Sequence, residues 1–165
     1  MINFLNNSSE TPYVIFKNKY DEALGANQSS IEAISISSFS HELNEVDSRF
    51  VNLKFVDKKD FIFFSNYESQ KALQFKSHDQ ISCLIFWNKI NSQIRMKAKI
   101  KKTSTDFNKK YFSNRDRKKN ALAISSNQSK EIKSYGEVKT NFENVLEDKD
   151  LYKCPPYWGG YKFEP

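Results

Sequence analysis

Glycine is scarce in this chain, with four residues in 165, at positions 25, 136, 159 and 160. Neither a G-x-G-x-x-G turn nor a Walker-type loop can be built from that set, so the usual glycine-rich cradles for dinucleotides and nucleoside triphosphates are excluded. Cysteine is scarcer: Cys83 and Cys154 stand without a CxxC pair, and neither a zinc site nor a secreted disulfide framework is indicated. A reducing cytoplasm fits that usage. The only histidines, His41 and His78, sit in polar surroundings and give a histidine triad or a metal centre little support. No positively charged start leads into an apolar run, and no apolar stretch approaches the roughly 20 residues a membrane helix needs. The expectation is a soluble, untargeted, cytoplasmic protein without a metal.

Arginine is also short. The net charge is +6, yet only 4 of the 26 basic residues are Arg, at 49, 95, 115 and 117. Phosphate and base recognition in nucleic-acid binders leans on Arg forks, so the lysine excess, beside 16 Asn, reads as composition bias rather than a nucleic-acid footprint. Where Lys is the default, each Arg is expected to have a geometric task.

What the chain has in plenty is aromatic surface, 14 Phe and 8 Tyr with 2 Trp, which favours a β-rich core over a Leu/Ala bundle. Its length suits one domain over residues 12–165, with the Asn/Ser-rich residues 1–11 disordered or loosely packed. Pro12 and the apolar spacing of Val14, Phe16, Tyr20 and Leu24, stopped by Gly25, predict a helix. Strands are expected at 31–36, 48–56 and 61–65, the last an apolar run buried on both faces. A helix over 66–79 and a strand over 80–87 follow. Ile94, Met96, Ala98 and Ile100 then alternate with Arg95, Lys97, Lys99 and Lys101, which marks a strand with one core face and one wet face. Ser104 reads as the N-cap of a helix carrying Phe107, Tyr111 and Phe112, two further helical pieces follow, and "PYWGGYKF" reads as a turn entering a strand.

Dispersed polar residues at strand ends and helix starts are the candidates for chemistry: Arg49, Lys54, Ser65, Gln70, Lys71, Gln93, Tyr111, Arg115, Gln128 and Ser129. "SNYESQK" places a hydroxyl, backbone N–H groups and a Lys at a helix N-terminus, where the dipole favours phosphate. The alternative reading is a capped, solvated helix start.

Taken in order, "RFVNLK", "FIFFSNYESQKALQF", "FWNKINSQIRMKAKI", "STDFNKKYFSNRDRKKNALAISSNQS" and "PYWGGYKF" resemble the pyridoxamine 5′-phosphate oxidase family, from about Pro12 to Phe163. The resemblance implies a mainly β fold with peripheral helices, the FMN-binding split β-barrel. It also implies a homodimer with FMN at its interface and oxidation of pyridoxamine or pyridoxine 5′-phosphate to pyridoxal 5′-phosphate by O₂, a step of vitamin B6 metabolism. Matched residue by residue, it assigns Arg49, Lys54, Phe64, Ser65, Gln70, Lys71, Gln93, Gln128 and Ser129 to FMN. Lys54, Tyr111, Arg115 and Lys119 fall where the family contacts substrate, and no residue is assigned to catalysis itself. Because hydride chemistry belongs to the flavin, a chain so poor in histidine can still be an enzyme. Arg49 and Lys54, five apart, face opposite sides of a regular strand, so a bulge or two separate ligand contacts is required.

The chain departs from the family pattern at Gln70, where Arg is usual, at Phe64 and Ser65, where Tyr and Thr are common, and at Lys119, which stands for a substrate-contacting Ser. Past the Gly-Gly pair the family continues with strands carrying a Trp and an Arg-Leu-His-Asp-Arg motif. The sequence here stops at Pro165, and the expectation is a barrel edge left unpaired. Trp158 matches the tryptophan of the Gly-Gly motif and is not assigned to the site. Two other readings stay open: a related flavin oxidoreductase with another substrate, and a non-catalytic binder of FMN or pyridoxal phosphate.

Overall fold

The computed structural model describes residues 1–126, 128–147 and 150–165. It divides into two compact units, one of residues 1–64, 74–101 and 161–165, the other of residues 65–73 and 102–160.

The first unit is built on β1 (Asn3–Asn7), α1 (Thr11–Gly25), β2 (Ala33–Ser40), β3 (Glu45–Lys58), β4 (Asp60–Asn66), β5 (Gln80–Trp87), β6 (Ser92–Lys102) and β7 (Trp158–Glu164), except that residues 65–66 of β4, 102 of β6 and 158–160 of β7 belong to the second. Strand order is β1-β3-β2-β5-β6-β7-β4, and a further β3–β4 pairing closes six of the strands into an antiparallel barrel. The expected unpaired edge is therefore not present: β7 fills the place between β6 and β4. Residues 1–11 also depart from expectation. Asn3, Phe4 and Asn7 pair in parallel with Phe55, Val56 and Lys58 of β3, and Phe4 packs on Tyr20 at 5.0 Å. Ile2 and Phe4 supply an apolar purchase that the surrounding Asn and Ser conceal in a compositional reading.

Alternation fixes the barrel interior. In β2 the inward set is Ile34, Ile36, Ser38 and Ser40, and in β5 it is Ile81, Cys83, Ile85 and Trp87. Phe61, Ile62 and Phe63 are all buried in β4, as the continuous apolar run predicts. α1 closes one side of the core, with Phe16 4.9 Å from Phe61 and 5.7 Å from Trp87, while the Trp87 indole N–H donates to the Ile31 carbonyl. Pairing of β3 with β4 shifts register between Leu53↔Phe63 and Phe55↔Ile62, a bulge at Lys54. Leu53 and Val56 both point inward as a result, and a bulge, one of the two arrangements that the spacing of Arg49 and Lys54 left open, lies at Lys54.

The second unit holds α3 (Thr105–Ser113), α4 (Arg117–Ser125) and α5 (Tyr135–Leu146). Ser104 caps α3 as its sequence position predicts, accepting from the Phe107 N–H at 3.3 Å. The boundary between the units falls within α2 (Gln70–Ser77), which begins four residues later than expected. Asn66 explains the delay: its Oδ1 accepts from the Glu68 N–H at 2.7 Å and its carbonyl from the Ser69 hydroxyl, a turn that competes with the helix. Gly159 and Gly160, expected as a turn, lie inside β7. A Cβ at Gly159 would stand 2.2 Å from Tyr67 Oη and 2.4 Å from Asn108 Nδ2, so glycine is needed for close approach. Among the described residues no helix is long and apolar enough to cross a membrane.

Gly159→Ala should destabilise the protein by about 1–3 kcal/mol, the cost of overpacking a well-filled site. Gly25→Ala, with nothing within 4 Å of its added Cβ, should be neutral or stabilising by about 0.5 kcal/mol. Urea denaturation of both variants measures the contrast; equal effects would refute the steric account of the Gly-Gly pair.

Candidate functional site

The candidate residues fall into two groups, one in each unit. In the barrel, Arg49 is held by four contacts. Its Nη1 donates to Ser38 Oγ at 2.6 Å and to the Ile36 carbonyl at 3.3 Å, and its Nη2 donates to Gln74 Oε1 at 2.6 Å and to Asp47 Oδ2 at 2.5 Å. The Gln74 carbonyl oxygen also accepts from the Ser38 hydroxyl at 2.6 Å, and both Ser38 and Gln74 are 3 % exposed. Both terminal nitrogens of Arg49 thus point into a buried polar network of the barrel itself. Lys54 sits on the bulge with its ammonium 3.5 Å from Glu32. Phe64 packs edge-on to Phe55 at 6.2 Å. Gln93 is exposed on the outer face of β6, opposite Phe86 of β5, and Arg95 lies opposite Leu84.

The second unit brings together five of the nine residues expected to meet the cofactor. Ser65, 6 % exposed, lies with its hydroxyl 3.5 Å from the side-chain carbonyl of Gln128, which also accepts from the Asn66 N–H at 3.4 Å. The Gln70 N–H donates to the Ser129 hydroxyl at 3.4 Å, and Ser129 adopts a left-handed φ of 65°. Lys71 is buried at 9 % exposure, with its ammonium 3.2 Å from Ser69 Oγ. A positively charged side chain, two serine hydroxyls, the side-chain amide of Gln128 and the backbone N–H of Gln70 therefore converge on the start of α2. That donor set fits a phosphate ester bearing a hydroxylated chain and an amide-edged ring, the chemistry of FMN. Gln70, standing where the family has Arg, contributes its backbone N–H to this cluster while its side chain is exposed.

Tyr111 and Arg115 form a second cluster in the same unit. Arg115 Cζ lies 5.2 Å from the centroid of the Trp158 ring, and the Tyr111 ring stacks on Trp158 at 6.3 Å with 12° between planes. Burial pushes the Tyr111 phenol above its ordinary pKa, with Arg115 pulling the other way, so the hydroxyl remains a proton donor through neutral pH. Burial likewise lowers Arg115 from its very high ordinary value. Lys119 lies in the first turn of α4 with its side chain exposed; its N–H donates to Asp116 Oδ1 and its carbonyl accepts from Arg115.

Several residues around these clusters escaped the sequence reading. Gln74 is one turn beyond Gln70 and Lys71 in α2, a spacing that signals a shared helix neighbourhood, but no composition cue marked it as the acceptor for Arg49. Asp47 carried the signal of an acid two residues from Arg49 on one strand face. Asn120, one of 16 asparagines, carried none.

A closed six-stranded barrel with this arrangement is the fold of the FMN-binding split-barrel proteins. The profile of the pyridoxamine 5′-phosphate oxidase family matches residues 28–147. The chain is 33% identical over 164 residues to the pyridoxine/pyridoxamine 5′-phosphate oxidase of Colwellia psychrerythraea, covering 96% of this chain and 73% of that protein. It is 26% identical over 164 residues to the protein of the same name from Leptospira interrogans, covering 98% of this chain and 76% of that one. Among solved structures, PhzG from Burkholderia lata, in complex with tetrahydrophenazine-1-carboxylic acid, superposes with a TM-score of 0.87 at 21% identity, over 93% of this chain and 76% of that chain. A pyridoxamine 5′-phosphate oxidase-related, FMN-binding protein from Nostoc punctiforme gives 0.73 at 12% identity, over 91% and 80% of the two chains. The chain belongs to the pyridoxamine 5′-phosphate oxidase family.

The network around Arg49 has its own consequence. Arg49→Met should cost about 1–3 kcal/mol of unfolding free energy in flavin-free protein, because Gln74 and Ser38 lose a buried charged partner. Chemical denaturation without flavin measures it. A variant as stable as wild type without flavin, and weaker only with it, would show that the guanidinium serves a ligand and not the barrel.

Proposed function

We propose that this protein is an FMN-dependent oxidase that converts pyridoxamine or pyridoxine 5′-phosphate to pyridoxal 5′-phosphate, in vitamin B6 metabolism. The observation that carries the reading is the convergence of Ser65, Gln70, Lys71, Gln128 and Ser129 at the start of α2, in a chain of this family. Lys71 supplies positive charge for the cofactor phosphate, and Ser65 and Gln128 offer donors and acceptors to the rest of it. The barrel's own contacts to the same cofactor are proposed as Arg49, Lys54, Phe64 and Gln93. Bound FMN would accept a hydride from the substrate carbon bearing the amine or alcohol and pass the electrons to O₂.

The protein's part is placement. Arg115, protonated and partly desolvated, offers guanidinium donors to the substrate phosphate, Tyr111 offers a phenolic O–H, and Lys54 and Lys119 add positive charge. Loss of water around these groups strengthens each contact. A second reading, a flavin oxidoreductase acting on another anionic substrate, is favoured by Lys119 in place of the family's Ser, since a flexible ammonium does not demand the geometry of a phosphate.

The homodimer expected of the family has support on the barrel. Phe50, Leu84 and Phe86 are 76%, 41% and 57% exposed on the outer faces of β3 and β5, and Ser35 of β2 pairs with both Phe50 and Leu84. Such a set of apolar side chains beside Gln93 suits a self-complementary surface covered by a second copy of the chain.

Purified protein should bind FMN near one equivalent per chain and oxidise pyridoxamine 5′-phosphate with release of H₂O₂. Arg115→Ala should lower kcat/KM roughly 10- to 100-fold, the scale of one lost charged hydrogen-bonding partner. Protein that neither retains nor titrates flavin refutes the cofactor assignment; flavin bound without turnover of this substrate moves the assignment to the second reading, or to a binder if no substrate turns over. Phe86→Asp should shift the protein from dimer to monomer in sedimentation velocity at micromolar concentration. An unchanged dimer would place the interface on another face.

A further inference from the structure

Arg115 differs from Arg49 in how its guanidinium is used. Its Nη1 donates to the Lys119 carbonyl at 2.6 Å and to Asn120 Oδ1 at 3.2 Å. Among the described residues, Nε and Nη2 have no hydrogen-bond partner, so one edge of the fork, two near-parallel N–H groups, is uncommitted. That geometry matches two oxygens of an oxyanion.

The tied edge is braced from behind. Asn120 is fully buried, and its Nδ2 donates to the Phe112 carbonyl at 2.9 Å and to the Leu151 carbonyl at 3.1 Å. Its amide is thereby fixed in the orientation that leaves Oδ1 for Arg115. Trp158, 5 % exposed, supports the guanidinium carbon from its ring face, and is itself held edge-on by Phe112 at 4.8 Å. A partly desolvated guanidinium over an indole is attracted by the ring quadrupole, and tryptophan is the best ring for that contact. Two constraints of different kinds, a hydrogen-bonded edge and a stacked face, hold a long side chain that would otherwise sample many rotamers.

We infer that Trp158 and Asn120 are positioning residues for an anion-binding Arg115, keeping its Nε and Nη2 donors presented to the phosphate of the substrate. The inference rests on the reading of Arg115 as a substrate contact. It gives the tryptophan of the Gly-Gly motif a task beyond filling the core. If Trp158 only fills the core, its replacement lowers stability and weakens all ligands alike.

The discriminating measurement is equilibrium binding to the flavin-loaded protein, by ultrafiltration, of pyridoxal 5′-phosphate and of pyridoxal, which lacks the phosphate. Trp158→Leu should weaken pyridoxal 5′-phosphate roughly 3- to 30-fold and leave pyridoxal within about 2-fold, with Trp158→Phe in between because a smaller ring face attracts the cation less. Asn120→Ser should also weaken the phosphorylated ligand selectively. Should Trp158→Leu fail to fold, Trp158→Phe decides, with a loss of about 2- to 5-fold expected for the phosphorylated ligand alone. Equal losses for both ligands, or none in Trp158→Phe and Asn120→Ser, overturn the inference. Arg115→Ala separates this failure from that of the underlying reading: if it leaves pyridoxal 5′-phosphate binding intact, Arg115 is not a substrate contact at all.

Discussion

β3 pairs with β2 on one side and with β4 on the other, and this double pairing is the constraint on which the barrel depends. A six-stranded sheet closes only if its strands coil and shear, and a 14-residue strand must bend to serve both neighbours. The bulge at Lys54 provides the bend. It also decides which side chains face inward: Asp47, Arg49, Val51 and Leu53 follow one alternation, and Val56 resumes it one residue late. The same strand carries β1 on its remaining stretch, so the N-terminal residues are ordered by a pairing far away in sequence.

Two arginines, one in each unit, illustrate two uses of one side chain. Arg49 spends Nη1 and Nη2 on Ser38, the Ile36 carbonyl, Gln74 and Asp47, which neutralises its charge locally and joins β2, β3 and α2. Buried polar groups of this kind are tolerable only when satisfied, and this network satisfies Ser38 and Gln74 at the same time. Arg115 keeps one edge unspent. The difference follows from neighbours: a carboxylate and a glutamine stand beside Arg49, whereas Arg115 meets a backbone carbonyl, an asparagine already fixed by two other bonds, and an aromatic face.

In the second unit the Gly-Gly pair is central to the packing. Tyr67 Oη donates to the Gly160 carbonyl at 3.0 Å, Asn108 Nδ2 donates to Tyr67 Oη at 3.0 Å, and the Gly160 N–H donates to Asn108 Oδ1 at 2.8 Å. This closed ring of hydrogen bonds forms only if the backbone comes within reach of the side chains, which a Cβ at position 159 forbids. Two consecutive glycines suggest freedom to turn; their use here is the absence of bulk. Likewise α2 starts four residues later than its sequence suggests, because the Asn66 side chain offers its own acceptor to the backbone ahead of the helix. The order of elements, the wet and dry faces of β5 and β6, and the Ser104 cap were legible because each depends on residues adjacent or alternating in the chain.

By itself the sequence determined the β-rich character of the fold, through its aromatic weight and alternating strands, and the family, through motifs held in order along the chain. It also excluded the usual glycine-rich loops for dinucleotides and nucleoside triphosphates. Only the tertiary structure decided that Arg49 is closed and Arg115 half open, that β7 completes the barrel, and that residues 3–7 are a strand. Each of these depends on groups brought together across long sequence separations, such as Arg49 with Gln74 or Asn3 with Phe55. Local propensity carries no information about such pairings; closure of the sheet does.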